Sequence, residues 1–140
     1  ECEIITIENY EKRIPIAREN FIRAEKEEQI TLLEGDAKDV LETLTEPFDL
    51  IFMDAAKGQY LNFLPRVLEL LQPEGILISD NVLQDGDIIE SRFAVTRRNR
   101  TIHKRMREYL YTLTHSEELT TAVLPVGDGI TISTKKGRKA

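Results

Sequence analysis

Four short apolar runs, each closing on an acid or an amide, alternate with stretches whose apolar residues recur every three or four positions. The runs are "EIITIEN" (3–9), "QITLLEGDA" (29–37), "FDLIFMDA" (48–55) and "GILISDN" (75–81). Rich in β-branched residues and stopped by polar ones, they read as strands. Ile14, Ala17, Phe21 and Ala24 then mark a helix, in which Pro15 is tolerable only near the first turn. Val40, Leu41 and Leu44 mark a short helix, and Leu61, Leu64, Val67, Leu68 and Leu71 a longer stripe ended by Pro73 and Gly75. A helix is predicted over about 96–114, with Ile102, Met106, Tyr109, Leu110 and Leu113 inward. "TTAVLPV" and "GITISTK" flank Gly127-Asp128-Gly129, which predicts an antiparallel hairpin. The closing "KKGRKA" is expected to fray. Strands alternating with helices give an α/β fold, a parallel sheet covered on both faces.

In such sheets ligands bind beyond the carboxyl ends of the strands. Those ends here are Glu8-Asn9, Asp36, Asp54 and Asp80-Asn81. Any one of them, alone, reads as an acid reaching water. Gathered along one edge they repel one another unless a cation or hydrogen-bond donors sit among them. "IFMDAAKG" (51–58) adds an amine, Lys57, three residues after the acid of the third strand.

Composition narrows the classes. A length of 140 residues is expected to make a single domain, 1–140, and a net charge of −6 argues against nucleic-acid binding by bulk charge. Cys2 is the sole cysteine, so neither an intrachain disulfide nor a cysteine zinc cluster is possible, and a reducing, cytoplasmic setting fits. No apolar run approaches the roughly 20 residues of a membrane span. No signal peptide opens the chain, and it does not begin with methionine.

In order, "TIEN", "EGDA", "FDLIFMDAAKGQY", "ILISDNVL" and "LPVGDGITIS" resemble the cation-dependent O-methyltransferases that use S-adenosylmethionine, among them catechol and caffeoyl-CoA methyltransferases. The resemblance covers nearly the whole chain, and the bacterial branch that methylates 5-hydroxyuridine in tRNA looks closest. It implies a Rossmann-like class I methyltransferase sheet, mostly parallel, with a C-terminal antiparallel hairpin. It implies that Asp54, Asp80 and Asn81 are metal ligands, an oxygen donor set suited to Mg2+. Lys57 then matches the lysine beside the reacting hydroxyl, as proton acceptor or oxyanion partner; without the resemblance it is a surface lysine at a helix start. Glu8 matches the acid that accepts from the ribose hydroxyls, and Gly35, Asp36 and Ala37 the adenine side of the S-adenosylmethionine site, with Asp54 also in the cofactor set. Helix N-capping by Glu8 and Asp36 is the simpler alternative and is compatible with ligand contact. A cytoplasmic homodimer is the expected form. The family also has a first strand and a glycine-rich turn that should precede residue 1, at the centre of the sheet. The chain is therefore expected to be N-terminally incomplete and inactive by itself.

The stretch "RFAVTRRNRTIHKRMR" (92–107) stands apart. Arg92, Arg97, Arg98, Arg100, Lys104, Arg105 and Arg107 are uninterrupted by any acid, in a chain of net charge −6. Such a run is either the solvated face of an amphipathic helix or a phosphate-binding patch for RNA. His103 is read as a helix-surface residue, and His115 as a partner for the helix C-terminal dipole. Three functions remain open: a tRNA-directed O-methyltransferase, an enzyme for small catechol-like hydroxyl substrates, and a non-catalytic fragment that binds cofactor or a partner chain. No membrane partner is expected.

Overall fold

The first strand, β1 (Ile4–Glu8), pairs in parallel with β2 (Ile30–Glu34), from Ile4 opposite Ile30 to Glu8 opposite Glu34. In this computed structural model residues 2–83, 88, 96 and 100–137 are described. They fall into two units, Glu1–Thr45 and Glu46–Ala140.

In the first unit α1 (Arg13–Arg23) joins β1 to β2, and α2 (Ala37–Thr43) follows β2. Pro15 is the third residue of α1, where its missing N–H would have had no intrahelical partner, as expected. Arg18 donates to Glu34 at 2.6 Å, and Arg13 lies 3.7 Å from Glu8.

The second unit holds β3 (Phe48–Met53), a single 3-10 turn (Lys57–Gln59), α3 (Tyr60–Leu70), β4 (Leu71–Ser79), α4 (Arg100–His115), β5 (Leu119–Leu124) and β6 (Ile130–Lys135). Its sheet runs β3-β4-β6-β5, with β3 parallel to β4 and both pairings of β6 antiparallel. The predicted hairpin is thus present, and its turn closes with Gly129 donating to Val126 at 3.0 Å. The core is drawn from Phe63, Leu64, Val67 and Leu70 of α3, Leu71 and Leu77 of β4, and Met106, Tyr109 and Leu113 of α4.

Three local expectations change. Leu71 does not close the helical stripe; it is extended and opens β4, opposite Phe48. Pro73 disfavours helical backbone at Gln72, so α3 must stop before it. Lys135 then reaches across from β6 and donates to the carbonyls of Leu68 and Leu71 at 2.6 and 2.7 Å, satisfying the helix end with a cation. On α4, Ile102 is exposed and His103 is buried, the reverse of the sequence reading. Stepping back from Met106, the packed line passes three residues, to His103, rather than four, to Ile102. His115 sits where expected: its Nδ1 lies 3.0 Å from the Tyr111 carbonyl and its ring stacks on Tyr111 at 3.9 Å. The predicted start of this helix, at 96–99, lies mostly outside the described residues.

Candidate active site

Met53, the last residue of β3, pairs with Ser79, the last of β4, and the Asp80 amide extends the ladder to the Met53 carbonyl at 3.0 Å. This register brings Asp54 beside Asp80-Asn81. Asn81 then turns into the left-handed region, φ +56°, a conformation that asparagine tolerates better than most residues. There its side-chain amide donates to Asp54 Oδ1 at 3.3 Å, while Asp80 Oδ1 accepts from the Asn81 backbone at 2.7 Å. The sequence-predicted trio is therefore assembled by two strand ends and one turn.

Lys57 opens the 3-10 turn that follows β3. Its Nζ lies 3.0 Å from Asp128 Oδ2, with both side chains largely shielded from solvent. Asp128 was read from sequence only as a hairpin residue, yet it is the counter-charge of Lys57. The available signal was an acid between two glycines, in a turn too tight for an ordinary side chain at its second flank. Gly129 (φ +83°) carries that constraint: a Cβ there would sit 2.2 Å from Leu83 Cγ. The close approach lets Leu83 donate to the Asp128 carbonyl at 2.9 Å and Val82 to the Gly129 carbonyl at 3.0 Å.

Beneath these groups lies Tyr60, fully buried. Its hydroxyl donates to the Asp80 carbonyl (2.9 Å), with the Met53 carbonyl at 3.3 Å, and accepts from the Ala55 amide at 3.4 Å. Its ring meets Tyr109 edge-on, centroids 5.3 Å apart, and the Tyr109 hydroxyl lies 2.6 Å from Ser79 Oγ. Burial pushes the Tyr60 phenol up to about 12, with the charges of Asp54 and Asp80 adding to the effect, and burial raises Tyr109 as well. Both shifts favour the neutral phenol in the folded state. Their contribution is complete below the unfolded value of 10 and is lost as pH rises through the folded one. From Tyr60 alone, stability should fall by roughly 2–3 kcal/mol between pH 10 and 12. Urea midpoints across that window check this, and in Tyr60→Phe the drop should shrink.

The first unit gathers the other predicted residues. Gly35 (φ +145°) donates to the Glu8 carbonyl at 3.1 Å, Asp36 caps α2 by accepting from the Lys38 amide at 2.8 Å, and Ala37 is the first residue of that helix. Glu8 Oε1 accepts from the Tyr10 amide at 2.8 Å. The capping alternative is thus realised at Asp36 but not at Glu8, since α1 begins only at Arg13 with Lys12 at its N-cap. Glu8 instead accepts from the amide two residues on, in the turn after β1.

Of the basic run, Arg92, Arg97 and Arg98 lie outside the described residues. Arg100 is half-buried at the start of α4. Arg105 donates to the Gly58 carbonyl at 2.8 Å and Arg107 to the Ile88 carbonyl at 3.4 Å, so part of the run braces the turn that carries Lys57.

Among the described residues no group of three His, Cys, Asp or Glu side chains is placed to hold a metal. Two carboxylates and an amide are nonetheless hard oxygen donors suited to a magnesium-class ion. Asn81 presents its nitrogen to Asp54, and a half-turn of the amide presents oxygen instead. The residues fit the ion that the sequence resemblance implies.

A model of the O-methyltransferase family matches residues 1–136. The chain belongs to that family. Catechol O-methyltransferase of Niastella koreensis is 35% identical over 91 residues, 62% of this chain and 41% of that protein. Caffeoyl-CoA O-methyltransferase 1 of Eucalyptus globulus is 34% identical over 134 residues, 91% of this chain and 53% of that protein. The chain spans about half the length of these curated relatives. The crystal structure of a SAH-bound Podospora anserina methyltransferase superposes with a TM-score of 0.82 at 31% identity, over 96% of this chain and 61% of that one. The α/β methyltransferase fold read from sequence is therefore the fold of this O-methyltransferase family member, although among the described strands two pairings are parallel and two antiparallel, so they are mixed rather than mostly parallel as expected. Among its described residues no helix is long and apolar enough to cross a membrane.

Proposed function

We propose that the protein is an S-adenosylmethionine-dependent, divalent-cation-dependent O-methyltransferase. One observation carries the reading: Asp54 and Asn81 meet at 3.3 Å in the same unit in which Lys57 is held by Asp128 at 3.0 Å. Asp54, Asp80 and Asn81 would hold a magnesium-class ion. When bound, such an ion orients an acceptor hydroxyl and makes its proton easier to remove. Glu8 would accept from the cofactor ribose hydroxyls and Asp36 from the adenine amine, with Gly35 and Ala37 lining the same strand end. S-adenosylmethionine supplies the methyl group from its sulfonium, a reading supported by the SAH carried by the Podospora relative.

Lys57 completes the chemistry. As an ammonium paired with Asp128 it would donate a hydrogen bond to the acceptor oxygen and stabilise the charge that develops as the proton passes to solvent. As a free amine it takes that proton itself. Either role requires Nζ to be held in place, and Asp128, fixed by the hairpin turn, holds it.

For the acceptor, the catechol and caffeoyl-CoA relatives support a small molecule bearing adjacent ring oxygens. A second reading, 5-hydroxyuridine in tRNA, rests on the basic run 92–107 in a chain of net charge −6. The test is methyl transfer from labelled S-adenosylmethionine to catechol and to tRNA bearing 5-hydroxyuridine, each with and without EDTA. Transfer that EDTA abolishes supports the reading, and chelator-resistant transfer refutes its cation. Arg97→Glu combined with Arg98→Glu should cripple transfer to tRNA and flatten its salt dependence, while sparing catechol. Equal retention of both activities would return the run to a solvated helix face.

A further inference from the structure

Tyr60 touches neither acceptor nor cofactor in the reading above, yet its hydroxyl reaches the strand ends on both sides of the candidate cation site. On β3 it faces the carbonyl of Met53 and the amide of Ala55, the two peptide groups that bracket Asp54. Beyond β4 it donates to the carbonyl of Asp80, within the peptide unit that leads into Asn81. Ladder pairing fixes the strands only up to Met53–Ser79, plus the one rung from the Asp80 amide. Past that rung the backbones diverge, into the 3-10 turn on one side and the left-handed Asn81 on the other. Besides the side-chain contact of Asn81 with Asp54, the phenol spans the divergence, and it does so through backbone groups. Its ring is held in place by Tyr109, which abuts it edge-on.

We infer that Tyr60 is a positioning residue whose buried hydroxyl sets the separation between Asp54 and the Asp80-Asn81 pair, and thereby the affinity of that trio for a divalent cation. The inference rests on the cation reading proposed above. A carboxylate ligand is only as well aimed as its backbone, and partners one step removed from a metal ordinarily change its affinity by about 10–100-fold. Tyr60→Phe keeps the ring, its volume and its contact with Tyr109, and removes only the hydroxyl. Tyr109→Phe removes the neighbouring hydroxyl, which reaches Ser79 and neither side of the trio.

The experiment is titration of the metal-free protein with Mn2+, followed by electron paramagnetic resonance of the free ion, with thermal midpoints recorded alongside. Tyr60→Phe is expected to raise the Mn2+ Kd by about 10-fold or more. Tyr109→Phe should lower the midpoint but leave the Kd within about two-fold of wild type. A folded Tyr60→Phe that binds Mn2+ like wild type overturns the inference, as does an equal loss in both variants, which would point to general loosening. Wild-type protein that binds no Mn2+ removes the cation reading and this inference together, whereas wild-type binding with an unaffected variant removes the inference alone. A measurement on wild type keeps the question open to refutation even if Tyr60→Phe does not fold. The Ala55 amide should exchange its hydrogen slowly in the metal-free protein, and exchange at the rate of an open loop overturns the clasp.

Discussion

Lys57→Met should yield a protein that folds and binds Mn2+ like wild type, yet transfers methyl groups about 10²–10⁴-fold more slowly, the loss typical of a positioned proton-transfer or charge-stabilising group. Methionine preserves the length and apolar stem of lysine while discarding the amine. The variant also removes the ion pair between Lys57 and Asp128 from a largely shielded position, so a modest loss of stability should accompany the loss of rate. Lys57→Arg separates the two roles left open above. Arginine keeps a cation opposite Asp128 but cannot act as a base, so a rate within about ten-fold of wild type assigns charge stabilisation. A rate as low as that of the methionine variant assigns proton removal. An unchanged rate in Lys57→Met would return the residue to an ordinary surface lysine.

Asp80→Ala should weaken Mn2+ binding beyond the about 10–100-fold expected for an outer partner, because on the reading proposed above it removes a charged ligand itself. Methyl transfer should fall in parallel. Asp80 Oδ1 also accepts from the Asn81 amide at 2.7 Å, so alanine could act by releasing the turn rather than by removing charge. Asp80→Asn resolves this: it can still accept that hydrogen bond but carries no charge. Weak cation binding in both variants identifies the charge as decisive. Recovery of wild-type affinity in Asp80→Asn would show that only the turn matters.

The elements were legible because burial leaves a periodic trace. The alternation of apolar runs with three-and-four stripes gave the strands and helices, and an acid between two glycines gave the hairpin. Where the period is ambiguous, the reading slipped. Leu71 is apolar whether it ends a helix or begins a strand, and only Pro73 arbitrates. Ile102 and His103 are both one turn from Met106, and hydropathy chose the wrong one. Asp54, Asp80 and Asn81 were legible as neighbours because parallel strands present their ends together, whereas only the family resemblance singled them out as a ligand set. The Lys57–Asp128 pair was not, since its members lie 71 positions apart and a single ion pair carries no pattern. Tyr60 was hidden for a different reason: its partners are backbone groups, which every residue possesses. The basic run was legible as charge alone, and nothing in its composition foretold that Arg105 would spend its guanidinium on the Gly58 carbonyl.

The tip of the β5–β6 hairpin is not free. Two rungs fasten it to Val82 and Leu83, and the missing side chain of Gly129 lets Leu83 lie directly against it. The tip also carries Asp128, so the peptide just after Asn81 and the counter-charge of Lys57 travel as a single piece. Lengthening the chain between Asn81 and Leu83 would shear those rungs and draw Asp128 away from the amine. Any residue other than glycine at 129 would do the same by wedging the tip off Leu83. The segments 81–83 and 127–129 are thus expected to tolerate changes of length poorly, because either change would move Asp128 relative to Lys57.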